Sequence, residues 1–154
     1  MTTRHIQRSG LWGFCILLAF ALMVSVVPAA EGGMQGDSGI VTGKSEAGVT
    51  YMHGGVGKSE RAKMDKLAKN YNLKAVCAGT NSDYLAFLDV RVTNAKGDTV
   101  LHIPRTEGPW VFAKLPAGTY TVKATYEGET KTAKATVGMG LKTLQLRWKL
   151  SGAD

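Results

Sequence analysis

Hydrophobic and polar residues alternate through much of the C-terminal half of the chain. Tyr120, Val122, Ala124 and Tyr126 interleave with Thr119, Thr121, Lys123 and Thr125. A period of two sends one set to each face of a strand. Glu127-Gly128 then reverses the chain. As a two-residue hairpin loop it sets Val122 opposite Ala133 and Tyr120 opposite Ala135, with both apolar sets on one face. A slip of one residue would separate those sets, so the register is specified. Upstream, Pro116 presets φ and Gly118 accepts a positive φ, so the two bracket a turn after a strand at 108–115. Further strands are predicted at 73–78, 84–93, 99–103 and 144–148, where Leu144, Leu146 and Trp148 alternate. Seven short strands separated by turn residues predict a mainly β sandwich. Trp110 and Phe112 share one parity, and Val111, Ala113 and Leu115 the other. A strand apolar on both faces is expected to be central or helix-covered. Left exposed, Trp110 would offer a stacking surface for a sugar or peptide.

One helix precedes the strands. Ser59 is placed to cap a helix over 60–71, in which Met64, Leu67, Ala68 and Tyr71 form a single apolar stripe. Glu60 suits its N-terminal end and Lys69 its C-terminal end. The helix is expected to pack on the sandwich, giving one domain over 51–149. Residues 31–50 hold six glycines (32, 33, 36, 39, 43 and 48) and few large apolar side chains. Such a segment buries too little surface to offset its ordering entropy, which predicts a flexible tether.

The N-terminus carries an address. Arg4 and Arg8 precede an uncharged apolar run over 11–27, and Val27-Pro-Ala29 supplies small residues. This layout predicts a cleaved secretory signal over 1–30, cut after Ala29 or Ala30, and a periplasmic or secreted protein with no stable membrane span after processing. Loss of Arg4 and Arg8 lowers the formal charge from +7 to +5, since residues 1–30 contain no acid. Of the two cysteines only Cys77 then remains. No intrachain disulfide can form, and Cys77 is expected to be a buried, inert thiol.

Gly108, Trp110, Phe112, Leu115, Pro116, Gly118, Tyr120 and Val122 follow the pattern Gly-x-aromatic-x-aromatic-x-x-Leu-Pro-x-Gly-x-Tyr-x-Val. Over 84–148 the chain thus resembles the carboxypeptidase regulatory-like domain, a transthyretin-like (prealbumin-like) Greek-key sandwich. The resemblance implies an accessory module, found beside enzymes and without catalytic residues of its own. One departure is Pro104-Arg105, where the family carries Thr-Asp, which implies a differently shaped loop. The enzymatic transthyretin-like branch hydrolyses 5-hydroxyisourate with a His/Arg constellation and a C-terminal Tyr-Arg-Gly-Ser. This chain reads Leu150-Ser-Gly-Ala-Asp154 instead.

Other motifs dissolve on inspection. Gly54-Gly-Val-Gly-Lys-Ser59 looks like a phosphate loop, but Met52 stands where the full motif requires glycine. What survives is a candidate anion loop at Gly55, Gly57 and Lys58, ahead of a helix start. Gly36-Asp-Ser-Gly39 echoes a serine-protease motif inside the glycine-rich segment, with no upstream histidine except His5 in the signal. His53 and His102 lie far apart in sequence without a carboxylate or cysteine cluster, so no metal and no cofactor is expected. Outward positions of the last three strands carry Lys123, Lys134, Arg147 and Lys149 among threonines. A basic, hydroxyl-rich sheet face suits an acidic protein or an envelope polysaccharide, whereas nucleic acid calls for a stronger patch with stacking aromatics.

The expected function is therefore a non-enzymatic, extracytoplasmic binding module that recognises a protein or polysaccharide of the envelope, with Trp110 and the basic residues as its surface. A transthyretin-like hydrolase is the enzymatic alternative. It requires His53 or His102 to converge with Lys58, Arg105 or Arg147. A structural envelope protein or homodimer is the third.

Overall fold

The computed structural model describes residues 39–150. In chain order these form β1 (Val41–Lys44), β2 (Thr50–Gly54), α1 (Lys58–Leu67), a 3-10 turn (Ala68–Asn70), β3 (Leu73–Gly79), β4 (Asp89–Thr93), β5 (Thr99–Ile103), β6 (Trp110–Lys114), β7 (Gly118–Tyr126), β8 (Glu129–Val137) and β9 (Lys142–Trp148). Five strands build one sheet in the order β1-β2-β6-β3-β9, antiparallel except for the parallel pair β3–β9. The other four build a wholly antiparallel sheet, β5-β4-β7-β8.

The two sheets share a core. Leu73, Ala75, Cys77, Val111, Ala113, Leu144, Leu146 and Trp148 from the first meet Val90, Val92, Leu101, Ile103, Tyr120, Val122, Ala124, Ala135 and Val137 from the second. The β7–β8 hairpin holds the expected register, Val122 against Ala133 and Tyr120 against Ala135. Its loop has φ of 46° at Glu127 and 82° at Gly128, the doubly positive turn that matches the twist of a hairpin. Trp148 spans to the same hairpin, donating from Nε1 to the Glu129 carbonyl at 3.0 Å.

A second, smaller cluster lies on the other side of the five-stranded sheet. Met52, Trp110, Phe112 and Tyr71 pack there with Met64 of α1. This explains β6, which is apolar on both faces: Val111 and Ala113 face the shared core, Trp110 and Phe112 the helix. Gly108 enters this strand against the backbone of Gly54, where any Cβ would collide with the Gly54 carbonyl. The motif glycine therefore serves close chain approach.

Several expectations need correction. The described residues hold nine strands rather than seven, the extra two being β1 and β2. The segment read as a tether contains β1, which pairs with β2 from Val41 opposite His53 to Lys44 opposite Thr50. Backbone pairing holds β1, and Gly43 leaves a slot across which the Tyr51 ring lies. Residues 31–38 and the signal with Ala29 and Ala30 fall outside the described residues. The strand expected over 84–93 shortens to β4, because Phe87 adopts φ 62° and Thr106 takes up the backbone around it. The helix starts two residues early, with Gly57 at its N-cap and no side-chain cap from Ser59, and its last turn tightens into the 3-10 segment. Of its stripe, Met64 and Tyr71 are buried but Leu67 is exposed. The turn at 115–117 carries the chain from one sheet to the other, since β6 and β7 belong to different sheets. Gly118 does not take a positive φ there. Instead Tyr120 fastens the corner by donating its hydroxyl to the Pro116 carbonyl at 2.8 Å.

Candidate functional site

The outer face of the four-stranded sheet is polar and bears no helix among the described residues. Outward parity places Asp89 and Arg91 on β4, His102 on β5, Thr119, Thr121, Lys123 and Thr125 on β7, and Thr130, Thr132, Lys134 and Thr136 on β8. Threonine suits such a face because its branched Cβ fits an extended backbone while its hydroxyl stays in water. Thr119 pairs with Thr136, and Thr125 with Thr130, their hydroxyls 3.3 and 2.7 Å apart.

Cations are set into this hydroxyl field. Arg91 stands directly opposite Lys123 in the β4–β7 ladder. Lys123 in turn pairs with Thr132, which leaves Lys134 as its diagonal neighbour on β8. Like charges directly opposite each other destabilise a sheet. Among the described residues no carboxylate lies within ion-pair distance of Arg91, Lys123 or Lys134. Asp89 is the carboxylate closest in the ladder, and it is engaged by His102 Nε2 at 2.8 Å. An ionised carboxylate only accepts, so Nε2 carries the proton. It then cannot accept from Arg91 Nη2 at 3.4 Å, and that guanidinium edge stays free. A shallow groove of about 490 Å³ runs over Asp89, Arg91, Lys123, Thr125 and Thr130. Sequence reasoning missed Asp89 and Arg91. Their outward parity on β4 was readable, but their place beside Lys123 follows only from the pairing of β4 with β7.

The other candidate residues fare differently. Arg147 lies on β9 in the opposite sheet, so the basic face expected across the last three strands is divided. Lys149 is exposed just beyond β9. Trp110 is only 8 % exposed. Lys74 Nζ sits 3.3 Å from its ring centroid and Phe112 meets it edge-on, so core packing rather than ligand stacking occupies it.

The Gly54–Lys58 loop already holds an anion of its own. Glu60 Oε2 accepts the backbone N–H groups of Gly55 and Val56 at 3.2 and 3.1 Å. Arg61 Nη1 closes the other side by donating to the Gly55 and Val56 carbonyls, both at 2.8 Å. The third residue of the helix thus reaches back over its own N-terminus, as in a capping box. An external anion at the Gly55 and Val56 N–H groups would have to displace Glu60.

The histidines have other partners than the cations named for the enzymatic alternative. His53 is buried, stacks on Tyr51 and accepts the Glu107 N–H at Nδ1. Burial pushes its pKa below the usual value, with nearby Glu107 opposing. Its ring is therefore neutral, with the proton on Nε2. Neither histidine bonds to Lys58, Arg105 or Arg147: Arg105 lies over the Phe87 ring at 4.1 Å, and Arg147 donates to Gln145. Burial raises the Cys77 thiol to about 12, far from a reactive thiolate. No group of three metal-ligating side chains occurs among the described residues. No protein-family model matches the chain, and no curated protein matches it.

Proposed function

We propose that this chain is an exported, non-enzymatic accessory module, a carboxypeptidase regulatory-like domain of Greek-key type, whose open four-stranded face binds an acidic polysaccharide of the cell envelope. The observation that carries this reading is the row Arg91–Lys123–Lys134. Three cations stand side by side at a cost to the sheet, and none of them is in ion-pair contact with a carboxylate among the described residues. A repeating carboxylate along a sugar chain matches a row of cationic side chains whose Cβ atoms stand about 5–8 Å apart across neighbouring strands. The threonine hydroxyls between them supply hydrogen bonds to sugar hydroxyls.

Isothermal titration with polygalacturonate and with neutral dextran tests this. Polygalacturonate is expected to bind, more weakly as salt rises, and dextran to show no heat. Equal binding of both polymers, or of neither, would remove the proposal. Export is tested separately by the N-terminal mass of the chain recovered outside the cytoplasm. It should begin at Ala30 or Glu31, and a chain that keeps Met1 would contradict the secretory reading.

A further inference from the structure

The outer face of the five-stranded sheet is only partly covered by α1. Beyond Trp110, β3 and β9 leave Val76 and Ala78 paired with Gln145 and Arg147. The segment after β3 rises beside them. Tyr84 bridges to Ala78, and the residue is 48 % exposed. Together Val76, Ala78, Ser82, Tyr84, Gln145 and Arg147 enclose a groove of about 170 Å³.

Three features show that this groove is pre-shaped. Ser82 adopts φ 70°, a conformation that L side chains avoid and that tends to persist only where surroundings enforce it. The enforcing bonds are Gly79 N–H to the Asp83 carbonyl, Ser82 N–H to the Gly79 carbonyl and Leu85 N–H to the Cys77 carbonyl, at 2.7, 3.1 and 3.2 Å. The Tyr84 ring is held from one side by the Arg61 guanidinium at 4.6 Å, itself tied down by two backbone carbonyls. On the opposite wall Arg147 Nη2 donates to Gln145 Oε1 at 2.8 Å, which fixes the direction of the guanidinium. No carboxylate pairs with Arg147 among the described residues.

We propose that this groove binds a single hexuronate unit, its carboxylate on Arg147 and its C–H face on Tyr84, Val76 and Ala78. Guanidinium favours a planar carboxylate bound by two parallel N–H groups. The apolar floor and aromatic wall suit the amphipathic ring of a sugar, while Ser82 and Gln145 reach its hydroxyl rim. A space of about 170 Å³ is on the scale of one monosaccharide, not of a longer chain. This deepens the polysaccharide reading by naming the sugar. It also gives the module two contacts on opposite sheets, and linked weak contacts multiply into avidity.

The test uses the full mature chain carrying Arg91→Gln, Lys123→Gln and Lys134→Gln, which removes all three cations of the open row without setting like charges opposite each other. Glucuronate, glucose and acetate are titrated in turn while backbone NMR signals are followed. Glucuronate is expected to shift Ser82, Tyr84, Gln145 and Arg147, and glucose and acetate to bind at least about tenfold more weakly. Arg147→Gln and Tyr84→Ala, each with an unchanged melting temperature, should abolish the shifts. The proposal fails if glucuronate leaves these signals in place, if acetate alone reproduces them, or if a peptide with a free C-terminal carboxylate binds more tightly. Failure here with polygalacturonate still binding the native chain would leave the open face standing. The reverse outcome would leave only the groove.

Discussion

The two sheets turn opposite kinds of surface away from their shared core. One carries Met52, Phe112 and Trp110 on its outer side and has α1 laid over them with Met64 buried beneath. The other carries threonines, Arg91, Lys123 and Lys134 and stays open. Both surfaces come from strands that alternate in the same way. The side chains at the outward positions decide whether the layer needs a cover. Burial of the first surface adds to stability through apolar area removed from water. The second adds only its cross-strand threonine pairs, and its opposed cations subtract from stability. Folding accounts for the covered face. The proposed recognition would account for the open one.

That contrast can be broken at the covered face first. Phe112→Ala empties the centre of the cluster under α1 and should cost about 3–5 kcal/mol in denaturant unfolding. A loss below about 1 kcal/mol would mean that the helix is not a structural cover. Asn72 comes next. Its buried side chain donates to the Leu115 and Gly138 carbonyls and accepts from the Leu115 N–H, joining the end of the helical segment to both neighbouring turns. Asn72→Ala should cost about 2–3 kcal/mol by leaving those groups unpaired. A neutral Asn72→Ala would show the joint to be dispensable.

A smaller effect sharpens the comparison through pH. His53 is buried in the five-stranded sheet with its pKa below the usual 6.5. The unfolded chain then binds the extra proton first, so stability is complete above about pH 6.5 and falls as pH drops toward the lower folded value. Chemical denaturation at about pH 7.5 and about pH 5 should show this loss in the native chain and a flatter profile in His53→Asn. An identical slope in both would place the acid sensitivity elsewhere.

Much of this architecture was legible in the residues. Alternation and the Glu127-Gly128 turn specify the β7–β8 register, because only one register puts both apolar sets inside. The double-sided apolar pattern of β6 likewise announces its central place. Other parts were not legible, for physical reasons. β1 is held by backbone pairing to β2, and backbone hydrogen bonds leave no mark in side-chain hydropathy. The loop that shortens the strand at 84–93 depends on Thr106, whose hydroxyl accepts the Leu88 N–H from 18 positions away. In the sequence Glu60 marks only a helix N-terminus, and its bonds to the Gly55 and Val56 N–H groups follow from the conformation of the glycine loop. The basic face was misassembled because parity tells inward from outward but not which sheet a strand joins. β8 and β9 are consecutive yet lie in different layers, so Arg147 parts from Lys134.

Lys123→Glu bears most directly on the claim that the open face was kept for binding at the expense of stability. The change places a carboxylate opposite Arg91 and replaces a repulsive pair with an attractive one, an interaction worth about 0.2–1 kcal/mol. Polygalacturonate affinity and melting temperature should be measured on the same sample. Affinity is expected to fall about tenfold or more while the melting temperature holds or rises slightly. Unchanged affinity would contradict the account, and so would a melting temperature that falls together with the affinity.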